Sequence, residues 1–215
     1  MDKKYILFDL DGTISDPKEG MVKSIQYSLK ELNIHVDNAE ALTSFIGPPI
    51  RDSFQKLFGL NIEETERAVA KYREYFSETG IFENTLYDGI ETMLKTLKNE
   101  GKSLILATSK AAVYAERILE YFNISQYFSF VSGSELDGRR SQKSEVIQYA
   151  LDNMGITELE KAIMVGDREF DIIGANKAGI ESVGVLYGYG GLQELKNAGA
   201  TYIVENVPGL TSLLG

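Results

Sequence analysis

The carboxylates best suited to chemistry lie in the segment Phe8–Thr13, which follows a short apolar run near the start of the chain. Residues two apart in an extended strand point to the same side, so Asp9 and Asp11 can face one site. Gly12 allows the backbone to turn sharply after them. Two close carboxylates repel each other and stay ionised together only when a cation joins them. The alternative is a pair of turn-forming aspartates, which are common at strand ends.

A second acidic segment, Gly166–Asp171, has the same setting, because it follows the apolar run 162–165 and leads into a predicted helix. Asp167 and Asp171 are four residues apart, which predicts that they share one helical face. Asp167 taken alone could simply cap that helix. Four carboxylates at two strand ends together favour a hard-cation site, and oxygen ligands indicate Mg²⁺.

Hydroxyl and amino groups elsewhere could bind an anion. Thr108, Ser109 and Lys110 end an apolar strand with two hydroxyls and a cation. Thr108 and Ser109 could donate hydrogen bonds to phosphate oxygens, although Ser109 could instead cap the next helix. Lys143 could supply a positive charge to a nucleophile and a transferred group, but a lone lysine in a polar loop is usually solvated. Arg51 could reach a substrate anion with two donors, or it could be merely solvated.

The elements that must position these groups alternate between short apolar runs and segments of helical length. This alternation predicts an α/β fold, with a Rossmann-like parallel sheet covered by helices on both faces. In such a sheet, ligands bind beyond the carboxyl ends of the strands. The predicted strands are residues 5–8, 104–107, 130–131, 162–165, 182–186 and 202–204.

One stretch breaks the alternation, because the pattern from about Pro17 to Phe82 is helical throughout. Apolar residues recur there at helical spacing. The sequence therefore predicts a core domain of residues 1–15 and 84–215, with an all-helical cap domain of residues 16–83 inserted into it.

The balance of charge restricts the partners of the protein. The 215 residues include 22 basic and 32 acidic side chains, a formal net charge of -10. This field repels nucleic acid polymers, and no basic stripe offsets it. It also repels small phosphorylated molecules, so a phosphate site here needs a cation, lysines or backbone amides.

Two absences bear on location. The chain has no cysteine, which fits a reducing compartment, and we expect a cytoplasmic protein. No segment is apolar for long enough to act as an export signal or a spanning helix, so we expect no membrane association.

The motifs together resemble those of the haloacid dehalogenase-like superfamily of phosphatases, over essentially the whole chain. Asp9–Thr13, the strand ending in Thr108, Lys143 and Gly166–Asp171 stand in the family's order and at family-like intervals. The resemblance implies a Mg²⁺-dependent phosphatase with a helical cap, acting on a small phosphorylated metabolite. It also implies an aspartyl-phosphate intermediate.

The resemblance implies a role for each matching residue. Asp9 would attack phosphorus, and Asp11 would protonate the leaving oxygen and then activate water. The Mg²⁺ ligands would be Asp9, the backbone carbonyl of Asp11 and Asp167, with Asp171 binding directly or through water. Thr108, the Ser109 backbone amide and Lys143 would bind the phosphoryl oxygens. Apart from the resemblance, we expect Gly12, Thr13 and Arg51 to contribute to substrate binding.

Two local features indicate the branch of the superfamily. The turn at residues 45–51 resembles that of phosphoglycolate phosphatases, pyrophosphatases and bacterial 5'-nucleotidase-like proteins. The segment 137–147 lacks the Lys-Pro of many members, and in this it resembles the 5'-nucleotidase-like group. A pyrophosphatase, a sugar phosphomutase and a binding protein without turnover remain alternatives. We expect a monomer or a small homo-oligomer.

The glycine cluster 188–191 is a weaker motif. It lacks the glycine spacing of a dinucleotide-binding loop. The sequence predicts instead a loop beside the active site, in which Tyr187 and Tyr189 are packed rather than catalytic.

Overall fold

The computed structural model describes the whole chain, Met1–Gly215. The strands are β1 (Tyr5–Phe8), β2 (Ser15–Asp16), β3 (Thr85–Leu86), β4 (Ser103–Ala111), β5 (Phe128–Ser134), β6 (Ala162–Gly166), β7 (Glu181–Val185) and β8 (Tyr202–Val204). The α-helices are α1 (Lys18–Glu31), α2 (Ile50–Phe58), α3 (Ile62–Tyr75), α4 (Ile90–Asn99), α5 (Ala112–Tyr121), α6 (Lys143–Asn153), α7 (Glu169–Ala178), α8 (Leu192–Asn197) and α9 (Val207–Leu214). Short 3₁₀ helices span Ala39–Phe45, Ser125–Tyr127 and Leu159–Lys161, and a π-helical turn spans Phe76–Gly80.

Six strands form one parallel sheet in the order β5-β4-β1-β6-β7-β8. The central strand is β1, where Phe8 pairs with Leu106 on one side and Val165 on the other. Its residues Ile6, Leu7 and Phe8 are fully buried, as expected for a strand covered on both faces. The predicted α/β fold is confirmed, and all six predicted strands are present.

The strand order places a switch point beside β1. The chain passes from β1 to β4 and β5 on one side, and then crosses to β6, β7 and β8 on the other. Ligands of open parallel sheets bind where the strand order reverses in this way. The carboxyl ends of β1, β4 and β6 therefore define the expected site.

The chain divides into two compact units. An α/β unit contains Met1–Asp16 and Leu86–Gly215, and a helical unit contains Pro17–Thr85. Between Pro17 and Phe82 only helical elements occur, as the sequence pattern predicts. The role of residues 16–83 as a cap domain stays a prediction.

The helical unit has its own aromatic packing and its own helix-capping residues. Phe45 and Phe54 pack edge to face with ring centroids 5.0 Å apart. Asn61 and Glu64 form a capping box at the start of α3, which satisfies amides that no helical carbonyl can reach. The aromatic contact therefore stabilises the packing of the insert, and the capping box fixes where α3 begins.

Helices α6 and α7 pack beside each other over one face of the sheet. The buried cluster there includes Leu7, Ile105, Ile147, Met164 and Ala175. This packing fixes the first turns of both helices next to the carboxyl ends of the strands. None of the helices combines the length and the apolar composition required to span a bilayer.

Candidate active site

Asp9 stands directly after the central strand. Its backbone amide donates to the Val165 carbonyl at 2.9 Å, which continues the ladder between β1 and β6. The side chain is only 4% exposed, and its Oδ1 lies 2.7 Å from the ammonium nitrogen of Lys143. The Asp9 carboxylate therefore lies against a cationic partner in a buried environment.

Lys143 is the first residue of α6 and does not lie in a solvated loop. Its side chain is 3% exposed, and Nζ lies 2.8 Å from Oδ1 of Asp171 as well as beside Asp9. Nζ also donates to the Ala107 carbonyl at 3.1 Å. Burial opposes the charged form, but the two carboxylates outweigh it and raise the pKa of Lys143. The solvated alternative for Lys143 is wrong.

The prediction that Asp167 and Asp171 share a helical face is wrong. Helix α7 begins at Glu169, so Asp167 lies before the helix at the end of β6. Only Asp171 is helical, where its Oδ2 accepts a hydrogen bond from the Arg168 amide at 3.1 Å. Asp167 is not the helix cap either, because its Oδ2 accepts from the Tyr189 amide at 2.7 Å. The chain turns before the helix starts, and the two carboxylates meet through that turn.

Three carboxylates nevertheless converge. Asp9, Asp167 and Asp171 are all buried, and each offers a carboxylate oxygen within 4.8 Å of those of the other two. Burial, reinforced by neighbouring carboxylates, raises the pKa of Asp167 well above its usual range. Burial likewise raises the pKa of Asp171 to about 6, against the opposing effect of Lys143. A bound cation would remove both penalties.

The charge and chemistry of the cluster fit a hard divalent cation. Four carboxylates, Asp9, Asp11, Asp167 and Asp171, face two ammonium groups, Lys110 and Lys143. When all are ionised, the formal excess is two negative charges. Oxygen ligands without nitrogen or sulfur favour Mg²⁺ over softer metals. The residues present therefore fit the predicted metal.

Asp11 has a partner that the sequence did not assign. Lys110 Nζ lies 2.9 Å from Asp11 Oδ2, and the two side chains are 7% and 10% exposed. Asp11 Oδ1 is buried without a hydrogen-bond partner. Burial raises the pKa of Asp11, and the nearby Lys110 only partly offsets this effect. The sequence contained one signal for this role of Lys110. Lys110 follows Thr108 by two residues, and residues two apart in an extended strand point to the same side.

The hydroxyls at the end of β4 are enclosed. Thr108 is 2% exposed, and its Oγ1 accepts from the Lys110 amide at 3.3 Å. The Ser109 hydroxyl is buried and has no hydrogen-bond partner. Because α5 begins at Ala112 without a side-chain cap, the capping alternative for Ser109 is wrong. Phosphate binding by Thr108 and Ser109 stays a prediction.

Gly12 turns the chain directly against Asp167. Its φ is +83°, and a Cβ there would lie 2.2 Å from Asp167 Oδ2. Glycine is therefore required both for the turn and for the close approach. Thr13, which is fully buried, directs its hydroxyl toward Asp167 Oδ1 at 3.4 Å. The substrate-binding roles of Gly12 and Thr13 stay predictions.

Arg51 lies in the helical unit, near the start of α2. Its Nε and Nη2 donate to the two carboxylate oxygens of Glu66 at 2.6 and 3.0 Å. This bidentate pair lowers the pKa of Glu66. Substrate binding by Arg51 stays a prediction.

Comparison with known proteins decides the family. Residues 6–185 match the haloacid dehalogenase-like hydrolase family. The chain belongs to this family. A 5'-nucleotidase from Pseudomonas aeruginosa is 40% identical over 97% of this chain and 94% of its own length. The crystal structure of a predicted phosphatase from Clostridium acetobutylicum matches with a TM-score of 0.96 at 46% identity, covering 99% of this chain and 98% of that one.

A further relative of this haloacid dehalogenase-like hydrolase has a different name. The tyrosine-protein kinase PtkA of Mycobacterium tuberculosis is 36% identical over 94% of this chain, which covers 68% of that protein. The resemblance drawn from the motifs is confirmed, and the chain is a phosphatase of this family.

Proposed function

We propose that this protein is a Mg²⁺-dependent phosphomonoester hydrolase that forms an aspartyl-phosphate intermediate, an acyl phosphate, on Asp9. The observation that carries the proposal is the placement of Asp9 at the switch point of the sheet. There it is ion-paired to Lys143 and lies within reach of Asp167 and Asp171. A nucleophile beside a cation and a metal-binding cluster suits phosphoryl transfer.

The carboxylates of Asp9, Asp167 and Asp171, with the backbone carbonyl of Asp11, would hold Mg²⁺. When bound, Mg²⁺ supplies positive charge that offsets the negative charge of the phosphoryl oxygens. Lys143, which is ion-paired with Asp9, contributes further positive charge beside the phosphoryl group. Thr108 and the Ser109 amide would bind the remaining phosphoryl oxygens.

The first half-reaction transfers the phosphoryl group. A carboxylate oxygen of Asp9 forms a bond to phosphorus while the bond from phosphorus to the leaving oxygen breaks. The proton for the leaving oxygen comes from the carboxyl group of Asp11. Burial raises the pKa of Asp11, which favours the protonated form that a general acid needs.

The second half-reaction restores the protein. The Asp11 carboxylate accepts a proton from water, whose oxygen attacks phosphorus and displaces Asp9 as inorganic phosphate forms. Phosphate-monoester hydrolysis requires accelerations of up to ~10²¹-fold, which no single group supplies. The acceleration would come from the nucleophile, the metal, the lysine and the hydrogen-bond donors acting together, because all are held in position in a buried site.

We assign nucleoside 5'-monophosphates as the preferred substrate class. The 5'-nucleotidase of Pseudomonas aeruginosa supports this choice at 40% identity, and so does the segment 137–147 that lacks Lys-Pro. Pyrophosphate, phosphoglycolate and sugar phosphates are the competing substrates.

The test is phosphate release from nucleoside 5'-monophosphates, phosphoglycolate, pyrophosphate and sugar phosphates, with Mg²⁺ and with a chelator. We expect release from the nucleotides, and its loss when the metal is removed. Release that continues unchanged in the chelator would contradict the metal requirement. Release from another class alone would overturn the substrate assignment and leave the mechanism standing.

A second candidate is transfer to an acceptor other than water, which the kinase name of the 36%-identical relative favours. A sugar phosphomutase would share this property. Substrate with a labelled phosphoryl group distinguishes the cases. Hydrolysis places the label in free phosphate, whereas transfer places it in a protein tyrosine or a sugar bisphosphate.

Lys110→Met is expected to slow turnover by about 10²-fold, because Asp11 loses the partner that holds its Oδ2, and small displacements of a catalytic group have effects of this size. The loss should be greater for a nucleoside 5'-monophosphate than for p-nitrophenyl phosphate, whose leaving group needs little protonation. Release of the leaving group in the first turnover, which reports the first half-reaction alone, measures the difference on both substrates. Lys95→Met, at an exposed position of α4, is the control for loss of a positive charge. An equal loss on both substrates would show that Lys110 does not act through Asp11.

A further inference from the structure

The residues Tyr187–Gly190, here named the tyrosine–glycine loop, follow β7 and take no part in the mechanism above. The loop lies directly against Asp167. The Tyr189 backbone amide donates a hydrogen bond to Asp167 Oδ2 at 2.7 Å. One carboxylate oxygen of Asp167, a proposed metal ligand at the end of β6, therefore accepts a hydrogen bond from the loop that follows β7.

The loop approaches Asp167 more closely than any side chain would allow. A Cβ on Gly188 would lie 2.4 Å from Asp167 Cβ and 2.3 Å from the Gly12 carbonyl oxygen. A Cβ on Gly190 would lie 1.9 Å from the Asp167 carbonyl oxygen. A Cβ atom does not lie closer than 3.0 Å to such atoms, so a larger residue at either position would force the backbone to move. The close approach to Asp167 therefore explains why both positions are glycine.

The tyrosine hydroxyls tie the same loop to the segment that follows β1. Tyr187 donates to the Thr13 carbonyl at 3.0 Å, and Tyr189 donates to the Asp16 carboxylate. The Tyr187 ring packs edge to face against Tyr87, with centroids 5.0 Å apart. Two hydroxyls and one ring contact thus hold the loop against the segment that follows Asp9 and against Tyr87.

We propose that the tyrosine–glycine loop is a positioning element that sets the affinity of the site for its divalent cation through Asp167. The proposal rests on the metal site of the proposed function. The amide binds one carboxylate oxygen, the Gly188 backbone packs against the Asp167 side chain, and the Gly190 backbone packs against the Asp167 carbonyl group. Partners of metal ligands that act in this way typically contribute 10- to 100-fold to metal affinity.

The test uses Gly188→Ala and Gly190→Ala, with Gly191→Ala as the matched control. Gly191 has a φ of -90° and no atom within 4 Å of an added Cβ, so alanine fits there. Binding of Mn²⁺ is measured by electron paramagnetic resonance and binding of Mg²⁺ by calorimetry, both without substrate. We expect binding to weaken about 10- to 100-fold in the two test variants and to be unchanged in the control.

Activity provides a second readout. Raising the Mg²⁺ concentration should restore phosphate release in Gly188→Ala and Gly190→Ala, because the defect lies in metal affinity. Unchanged metal affinity in folded variants would overturn the inference. If both variants fail to fold, the double variant Tyr187→Phe with Tyr189→Phe replaces them, because it removes the two hydroxyl anchors that hold the Tyr189 amide against Asp167. Metal binding as tight as that of the unchanged protein in this double variant would then overturn the inference. Absence of divalent-cation binding in the unchanged protein would overturn the proposed function itself.

Discussion

Replacing Asp9 by Asn is expected to reduce phosphate release by about 10⁴- to 10⁶-fold, the range seen when a member of a catalytic unit is removed. The amide keeps the size of the carboxyl group but is a poor nucleophile. Lys143 retains its pair with Asp171, so the fold should survive. Phosphate release under saturating Mg²⁺, with thermal unfolding of the same sample, measures both effects.

The matched control is Asp152→Asn, which changes an exposed carboxylate of α6. We expect its phosphate release to equal that of the unchanged protein. Substantial turnover in a folded Asp9→Asn variant would exclude Asp9 as the nucleophile, whatever the control shows.

Lys143→Met is expected to lower the free energy of unfolding by about 3–5 kcal/mol in the absence of metal, because it leaves buried carboxylates without a counter-charge. Asp9 and Asp171 both lie within 2.8 Å of the lysine nitrogen. Turnover should be lost as well, since the phosphoryl group loses a cation. Denaturant unfolding and phosphate release provide the two measurements.

Two further variants test the physical reason for the loss of stability. Lys161→Met removes an ion pair with the exposed carboxylate of Asp2, and a surface pair contributes only about 0–1 kcal/mol. The double variant Lys143→Met with Asp171→Asn removes one of the uncompensated carboxylates. We expect it to regain stability without regaining turnover. Equal losses in Lys143→Met and Lys161→Met would contradict the account of Lys143.

The sheet could be predicted from the sequence because its strands are buried on both faces. The run 5–8 coincides with β1, and the run 202–204 coincides with β8. The carboxyl end of β4 was less visible, since the strand continues to Ala111 after the apolar run stops, with an irregular register against β5 between Ala107 and Ala111. Residues 108–110 of this strand are polar because they lie at the site. A search for apolar runs therefore ends the strand too early.

The metal cluster was predicted in composition but not in geometry. Spacing of four residues suggested a shared helical face for Asp167 and Asp171, yet the turn before α7 separates them. Asp167 and Asp171 converge through the turn between β6 and α7, and they meet Asp9 because β6 pairs with β1. That pairing is a tertiary contact between distant residues, so local spacing carries no trace of it.

The two lysines illustrate what the sequence leaves open. Lys143 looked solvated because its neighbours in sequence are polar, but packing of α6 on α7 buries it. Lys110 was visible as a cation, but the sequence showed no partner for it. Its pairing with Asp11 depends on β4 and β1 being neighbours, and the order of strands in the sheet was not predicted.

The most direct test of the central claim is to trap the phosphoryl group on Asp9. The Asp11→Asn variant is mixed with p-nitrophenyl phosphate and Mg²⁺, quenched in acid within one turnover, and its peptides are analysed by mass spectrometry. Because the leaving group needs little protonation while the attacking water has lost its base, we expect a hydroxylamine-sensitive phosphoryl group on the peptide containing Asp9. Release of p-nitrophenol with Asp9 unmodified, or a phosphoryl group on another residue, would contradict the account.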